Sequence, residues 1–195
     1  MKKLVNAAIV ISIFIGFNSS YAQFSLGADL GAQMPTSEQF KSLTNTGYGF
    51  ILTGEYKIPV IPVALLLSAG YDSWAYKTIT YYSMSNSGFH AETFGGISMY
   101  SFSIKAGPML YVSIPGIGLS PYIGVDAGIM AATSTAQGAG YGSGFVYSPF
   151  LGFRYTLPSG LISLDLNARE SFFNQNNDSN VLSWFGINAG VYISI

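Results

Sequence analysis

Few residues of this chain can do chemistry. The single histidine, His90, stands in Gly88-Phe89-His90-Ala91-Glu92, with Ser83, Ser85 and Ser87 just before it. Serine, histidine and a carboxylate are the parts of an acyl-transfer triad, so hydrolysis or transfer of a lipid acyl chain is one reading. A solvated loop histidine is the plainer one. Cysteine is absent, which excludes disulfides and thiolate metal sites. One histidine and a near-balanced charge argue against a metal cluster or a nucleic-acid surface, and no cofactor is expected. The run Gly138-Ala139-Gly140-Tyr141-Gly142-Ser143-Gly144 has the glycines of a phosphate-binding loop. It lacks the Gly-Lys-Ser/Thr ending and leads into a strand pattern, so it reads as an exposed loop. Tyr81, Tyr82, Phe89 and Phe94 form a further aromatic cluster in a loop, able to touch a partner or fold over whatever lies beneath.

The charged residues are the more specific signal. Asp29, Glu55, Asp72, Asp126 and Asp165, with Lys57, Lys105, Arg154 and Arg169, each fall inside a segment of alternating apolar and polar residues. What they do depends on the elements that carry them. Charged residues make up only 9% of the chain, aromatics 15%, and mean hydropathy is +0.37. A soluble domain carries roughly 25% charged residues, so much of this surface does not face water. No run of about 20 apolar residues exists to make a spanning helix. Apolar residues spread over alternate positions leave the transmembrane barrel.

The alternation is clear at both ends. Phe24, Leu26, Ala28, Leu30, Ala32 and Met34 alternate with Ser25, Gly27, Asp29, Gly31 and Gln33. Phe185, Ile187, Ala189, Val191, Ile193 and Ile195 alternate with Trp184, Gly186, Asn188, Gly190, Tyr192 and Ser194. A period of two places the sets on opposite faces, lipid for one and lumen for the other. Six further strands are predicted near 48–58, 63–76, 97–112, 121–131, 145–156 and 161–172. The connections alternate too. Segments 35–47, 77–96, 132–144 and 174–180 are mostly long and polar; 59–62, 113–120 and 157–160 are short and contain proline. Long loops on one side and short turns on the other are the outer-membrane rhythm. Pro108 and Pro149 fall within strands, where each predicts a bulge or a frayed end.

The fold expected is therefore all-β: a closed antiparallel eight-stranded transmembrane up-and-down β-barrel over 23–195. A cleavable signal peptide is expected before it. Lys2 and Lys3 precede an apolar run from Leu4 to Phe17, and Ser20-Tyr21-Ala22 offers the small residues of a cleavage site, giving a signal segment 1–22.

These features resemble the small outer-membrane barrel proteins of the OmpA/OmpX-like type, over nearly all of the chain from Phe24 to Ile195. Many members end in an aromatic residue, whereas here Tyr192 stands fourth from the end. The resemblance implies a monomeric barrel in the bacterial outer membrane, in contact with lipid and delivered by the barrel-assembly machinery. It implies roles ranging from structural anchoring and surface interaction to, in a few members, lipid chemistry.

In such a barrel Asp29, Glu55, Asp72, Lys105, Asp126, Arg154, Asp165 and Arg169 form a lumen charge network. Eight strands enclose a space just wide enough to be filled by side chains, and opposite charges there should pair. A packed polar core with Lys105 as a hub is the leading reading. A small-solute channel or binding cavity, in which the same charges part, is the alternative. The chain is expected to be no enzyme, with an extracellular ligand reached through its loops as one possible partner.

Overall fold

The computed structural model describes residues 23–59, 61–85, 88–94, 97–114, 116–135, 142–175 and 181–195, with the backbone alone for 79–94. The expected signal segment 1–22 and residues 138–141 of the glycine run lie outside the described residues.

Eight strands close into an antiparallel barrel: β1 (Phe24–Pro35), β2 (Gly47–Lys57), β3 (Val63–Ala75), β6 (Ser98–Tyr111), β7 (Leu119–Ser134), β8 (Ser143–Thr156), β9 (Ile162–Gln175) and β10 (Val181–Ser194). β1 pairs with β10 from Ser25↔Ser194 to Pro35↔Trp184, which seals the sheet and removes its edges. Side-chain period makes the two surfaces. On β8, Phe145, Tyr147, Leu151, Phe153 and Tyr155 are exposed, while Val146, Ser148, Phe150, Gly152 and Arg154 are buried. The outward wall is largely apolar: Leu30, Leu67 and Ile129 are 65%, 61% and 68% exposed. The inward face holds Ser25, Asp29, Gln33, Ser68, Asp126 and Asn188, all buried. Apolar-out and polar-in is the arrangement that hydrocarbon, not water, selects.

The prolines do not act as expected. Pro108 pairs with Leu65 of β3, and Pro149 with Val125 of β7. On its other side each interrupts the ladder. The β6–β7 pairing passes from Ala106↔Ala127 to Met109↔Gly124, and the β8–β9 pairing from Tyr147↔Phe172 to Phe150↔Arg169. The register is the same on both sides of each gap, so there is neither bulge nor frayed end. Each proline simply lacks the N–H that would serve one facing carbonyl. Inward and outward faces therefore persist along both strands.

Two of the long connections contain structure that alternation does not predict. Segment 35–47 holds a helix, α1 (Glu38–Leu43), with Glu38 in its first turn, Lys41 in its last and Phe40 buried. Six residues are too few to hold a helix by propensity, so packing of Phe40 must fix it. Segment 77–96 forms a separate two-stranded sheet, β4 (Ile79–Ser85) and β5 (Gly88–Phe94), paired from Ile79↔Phe94 to Ser85↔Gly88. β4 begins Ile-Thr-Tyr-Tyr, residue types that favour strands. Its backbone register sets His90 opposite Ser83. The side chains of His90 and of the aromatic cluster Tyr81, Tyr82, Phe89 and Phe94 lie outside the described residues.

Candidate functional site: the filled lumen

The lumen is built by pairing large inward residues against glycine. Tyr192 of β10 lies opposite Gly27 of β1, and Phe150 of β8 opposite Gly124 of β7. Tyr122 faces Gly152, Lys105 faces Gly128, Asp72 faces Gly49, and Asp29 faces Gly190. A Cβ on Gly27 would lie 2.2 Å from the Tyr192 ring, and one on Gly124 2.4 Å from that of Phe150. Alternating large and small residues in this way lets eight strands close tightly around full-sized side chains.

All eight charged residues of the predicted network are buried. They divide into two clusters, with two acids held apart. Nearer the short-turn end, Arg154 bridges two acids: its Nη1 donates to Glu55 Oε2 and its Nε to Asp165 Oδ1 at 3.0 Å. Its guanidinium carbon stands 3.7 Å from the Tyr192 ring centroid and 5.6 Å from that of Tyr122. The Tyr122 hydroxyl donates to Asp165 Oδ2 at 2.6 Å, and Lys57 Nζ lies 3.8 Å from Glu55 Oε1.

The second cluster centres on Asp126. Arg169 Nη1 donates to its Oδ2 at 2.5 Å, Lys105 Nζ lies 3.5 Å from its Oδ1, and the Ser68 hydroxyl is 3.4 Å from Oδ2. Lys105 Nζ also donates to Ser148 Oγ at 3.1 Å, and Ser148 Oγ is 3.0 Å from Ser171 Oγ. Lys105 thus reaches one acid and one serine, whereas the acid gathers three partners. The hub is Asp126.

Asp29 and Asp72 are held by neutral donors. Asp29 accepts from the Tyr192 hydroxyl at 2.9 Å and from Asn167 Nδ2 at 3.4 Å; Asp72 accepts weakly from Ser101 Oγ at 3.5 Å. An amide chain leads on from there. Asn188 Nδ2 donates to Asn167 Oδ1, and Gln33 Nε2 to Asn188 Oδ1, both at 3.0 Å. Burying so many charges is costly unless each is paired or hydrogen-bonded, and these contacts answer that cost. Among the described residues, no three carboxylates or imidazoles converge as a metal site.

Apolar clusters flank the polar zone, with buried Ser25 and Ser163 beyond it nearest the short turns. Towards the long-loop end, Phe40 of α1 drops onto Trp74 and Trp184, with ring centroids 5.1 and 6.4 Å away, and the two indoles meet edge to face at 5.2 Å. Met99, Met130, Val146 and Phe173 complete this roof, and the Trp74 indole N–H donates to the Gln33 carbonyl at 3.2 Å. Nearer the short turns, Ala64, Leu66, Met109, Tyr122 and Phe150 form a second apolar cluster. A cavity of about 10 Å³ remains between the charged clusters, lined by Thr53, Ser68, Tyr122, Asp126, Arg154 and Arg169 among others. That is room for about one water molecule, and Arg169 Nε, buried and without a hydrogen bond, is a donor free to bind it.

Reading residues by strand face finds the charges but not all of their partners. Phe40 stands outside the residues that alternation singles out, and Tyr122, inward by parity, carries no sign of the acid it binds. The inward parity of Trp184, Asn188 and Tyr192 was visible in the last strand, but not what each would touch.

No protein-family model matches the chain, and no curated protein does. Among solved structures it is similar to Neisserial surface protein A, at 18% identity and a TM-score of 0.62, covering 89% of this chain and 97% of that one. It also aligns with the N-terminal β-barrel domain of OprF from Pseudomonas aeruginosa, at 13% identity and a TM-score of 0.48, covering 88% and 97% of the two chains. The attachment invasion locus protein Ail of Yersinia pestis aligns at 12% identity and a TM-score of 0.49, covering 87% and 96%. At these identities it is the fold that is shared. With its own closed, lipid-suited barrel, the chain has the fold of the small eight-stranded outer-membrane barrels, the OmpA/OmpX-like architecture that its strand pattern resembles.

Proposed function

We propose that this protein is a closed, non-conducting barrel of a bacterial outer membrane, without enzymatic activity, which reinforces the envelope and presents its long connections outside. In this reading the short turns face the periplasm and the long-loop end faces out. The barrel works as a monomer, with lipid as its permanent partner and the barrel-assembly machinery as a transient one.

One observation carries the proposal: the lumen is filled. The Asp126 and Arg154 clusters occupy its middle, and the roof of Phe40, Trp74 and Trp184 covers its long-loop end. Parting these charges without replacing their partners costs several kcal/mol per ion, so a resting pathway for solutes is disfavoured. The surface role follows from where unassigned structure lies, in α1 and the β4–β5 hairpin at the long-loop end.

Liposome swelling tests it. Vesicles carrying the folded barrel should shrink in a small sugar and stay shrunken, like empty vesicles; recovery within seconds would make the channel reading correct. Mass spectrometry of envelope lipid from a strain lacking the protein tests the enzymatic side. An unchanged lipid profile is expected, and a missing modified species that reappears with wild-type protein but not with His90→Ala would overturn the reading.

A further inference from the structure

Placing the basic residues leaves an asymmetry on the outer wall. Six lysines and arginines follow residue 22. Lys105, Arg154 and Arg169 are buried in the lumen, and Lys57 points to Glu55 at its short-turn end. The remaining two, Lys41 and Lys77, meet at one point of the long-loop rim. The Lys77 backbone N–H donates to the Leu43 carbonyl at 2.8 Å, and its Nζ to the Lys41 carbonyl. Among the described residues, Glu38 is the carboxylate paired with them, 3.9 Å from Lys41 and itself 97% exposed, a pairing that water weakens.

Beneath this pair the wall changes character in steps. Outward positions of β3 run Leu65, Leu67, Ala69, Tyr71, the covered Ser73 and Ala75, and exposed Lys77 follows just past the strand. Tyr71 is the centre of an aromatic group. Its ring lies 6.4 Å from Tyr48 of β2, and 6.2 and 5.0 Å from Tyr100 and Phe102 of β6. Tyr48 and Phe102 are 61% and 63% exposed. One sector thus runs from aliphatic surface suited to acyl chains, through tyrosines of the kind that favour a membrane interface, to the rim that carries Lys41 and Lys77.

We infer that the β2–β3–β6 sector is a binding site for an outer-leaflet lipid with an anionic phosphate headgroup, held by Lys41 and Lys77 above and by the Tyr71 group below. The inference rests on the outer-membrane reading. Two lysines near a membrane surface favour an anionic lipid roughly tenfold over a zwitterionic one, once screening is allowed for.

The test uses the folded barrel in equimolar phosphatidylcholine and phosphatidic acid. Lipid that stays bound after mild detergent extraction is counted by native mass spectrometry. Wild type should retain phosphatidic acid about tenfold over phosphatidylcholine. Lys41→Gln with Lys77→Gln should bring the ratio to parity, and Glu38→Gln, which removes the competing carboxylate, should raise it. Parity in the wild type, or a preference unchanged in the double variant while gel mobility still shows a folded barrel, overturns the lipid site alone. Failure of the wild-type chain to enter the mixed bilayer overturns the membrane reading and this inference with it.

Discussion

Arg154 lies over the ring of Tyr192, its guanidinium carbon 3.7 Å from the ring centroid, while Tyr192 in turn donates its hydroxyl to Asp29. The stacking ties a charge on β8 to the closing strand β10, two strands away, and Arg154 also holds Glu55 of β2 and Asp165 of β9. One guanidinium thus links four strands across the lumen. Arg154→Met should destabilise the barrel by about 3–5 kcal/mol, because Glu55 and Asp165 are left buried without their cation. Arg154→Lys should recover little, since an ammonium can neither fork between two acids nor stack flat on the ring. Urea unfolding in lipid vesicles, followed by gel mobility, measures both.

Asp126 and Lys105 should not be equivalent. Asp126→Asn removes the partner of both Arg169 and Lys105, whereas Lys105→Met leaves Asp126 still bound by Arg169. The expected order is Asp126→Asn costing about 3 kcal/mol or more and Lys105→Met distinctly less. The same unfolding series reads the order, and a larger loss for Lys105→Met would contradict it.

The glycine pairing makes a sharper test of lumen packing. Gly27→Ala places a methyl group 2.2 Å from the Tyr192 ring and should cost about 1–3 kcal/mol. Gly54→Ala, on the same sheet, places one no nearer than 3.7 Å to any neighbour and should be close to neutral. Thermal unfolding of the two variants side by side distinguishes a filled lumen from a loose one.

Phe40→Ala should loosen the roof. The two tryptophans of the chain, Trp74 and Trp184, both belong to it, so intrinsic fluorescence reports on it alone. Emission should shift to longer wavelength as water reaches the indoles, with a stability loss of about 3–5 kcal/mol if the site does not collapse. An unshifted spectrum would mean that α1 does not seat there in the membrane.

Face assignment was legible in the sequence because it needs only a period of two within each strand. Asp29 among Leu26, Ala28 and Leu30, or Arg154 between Phe153 and Tyr155, declares its side without knowledge of any neighbour. The partners of these charges were not legible, since Arg154–Asp165 and Tyr192–Gly27 depend on register between strands, which no single strand carries. The α1 helix was hidden for another reason. A six-residue segment has no measurable period, and Phe40 gains its place only when Trp74 and Trp184 are already side by side. The β4–β5 hairpin has strand-forming residues but neither an apolar run nor a membrane-length alternation to announce it. Pro108 and Pro149 misled because one missing N–H was read as a broken register, whereas the neighbouring pairs hold it fixed.

Single-channel recording tests the closed lumen most directly. Folded barrel incorporated into a planar bilayer at high salt should give no openings above those of bare lipid, with insertion confirmed by recovering the protein from the membrane. Steady, reproducible conductance steps from the wild-type barrel would contradict a lumen sealed by the Arg154 and Asp126 clusters.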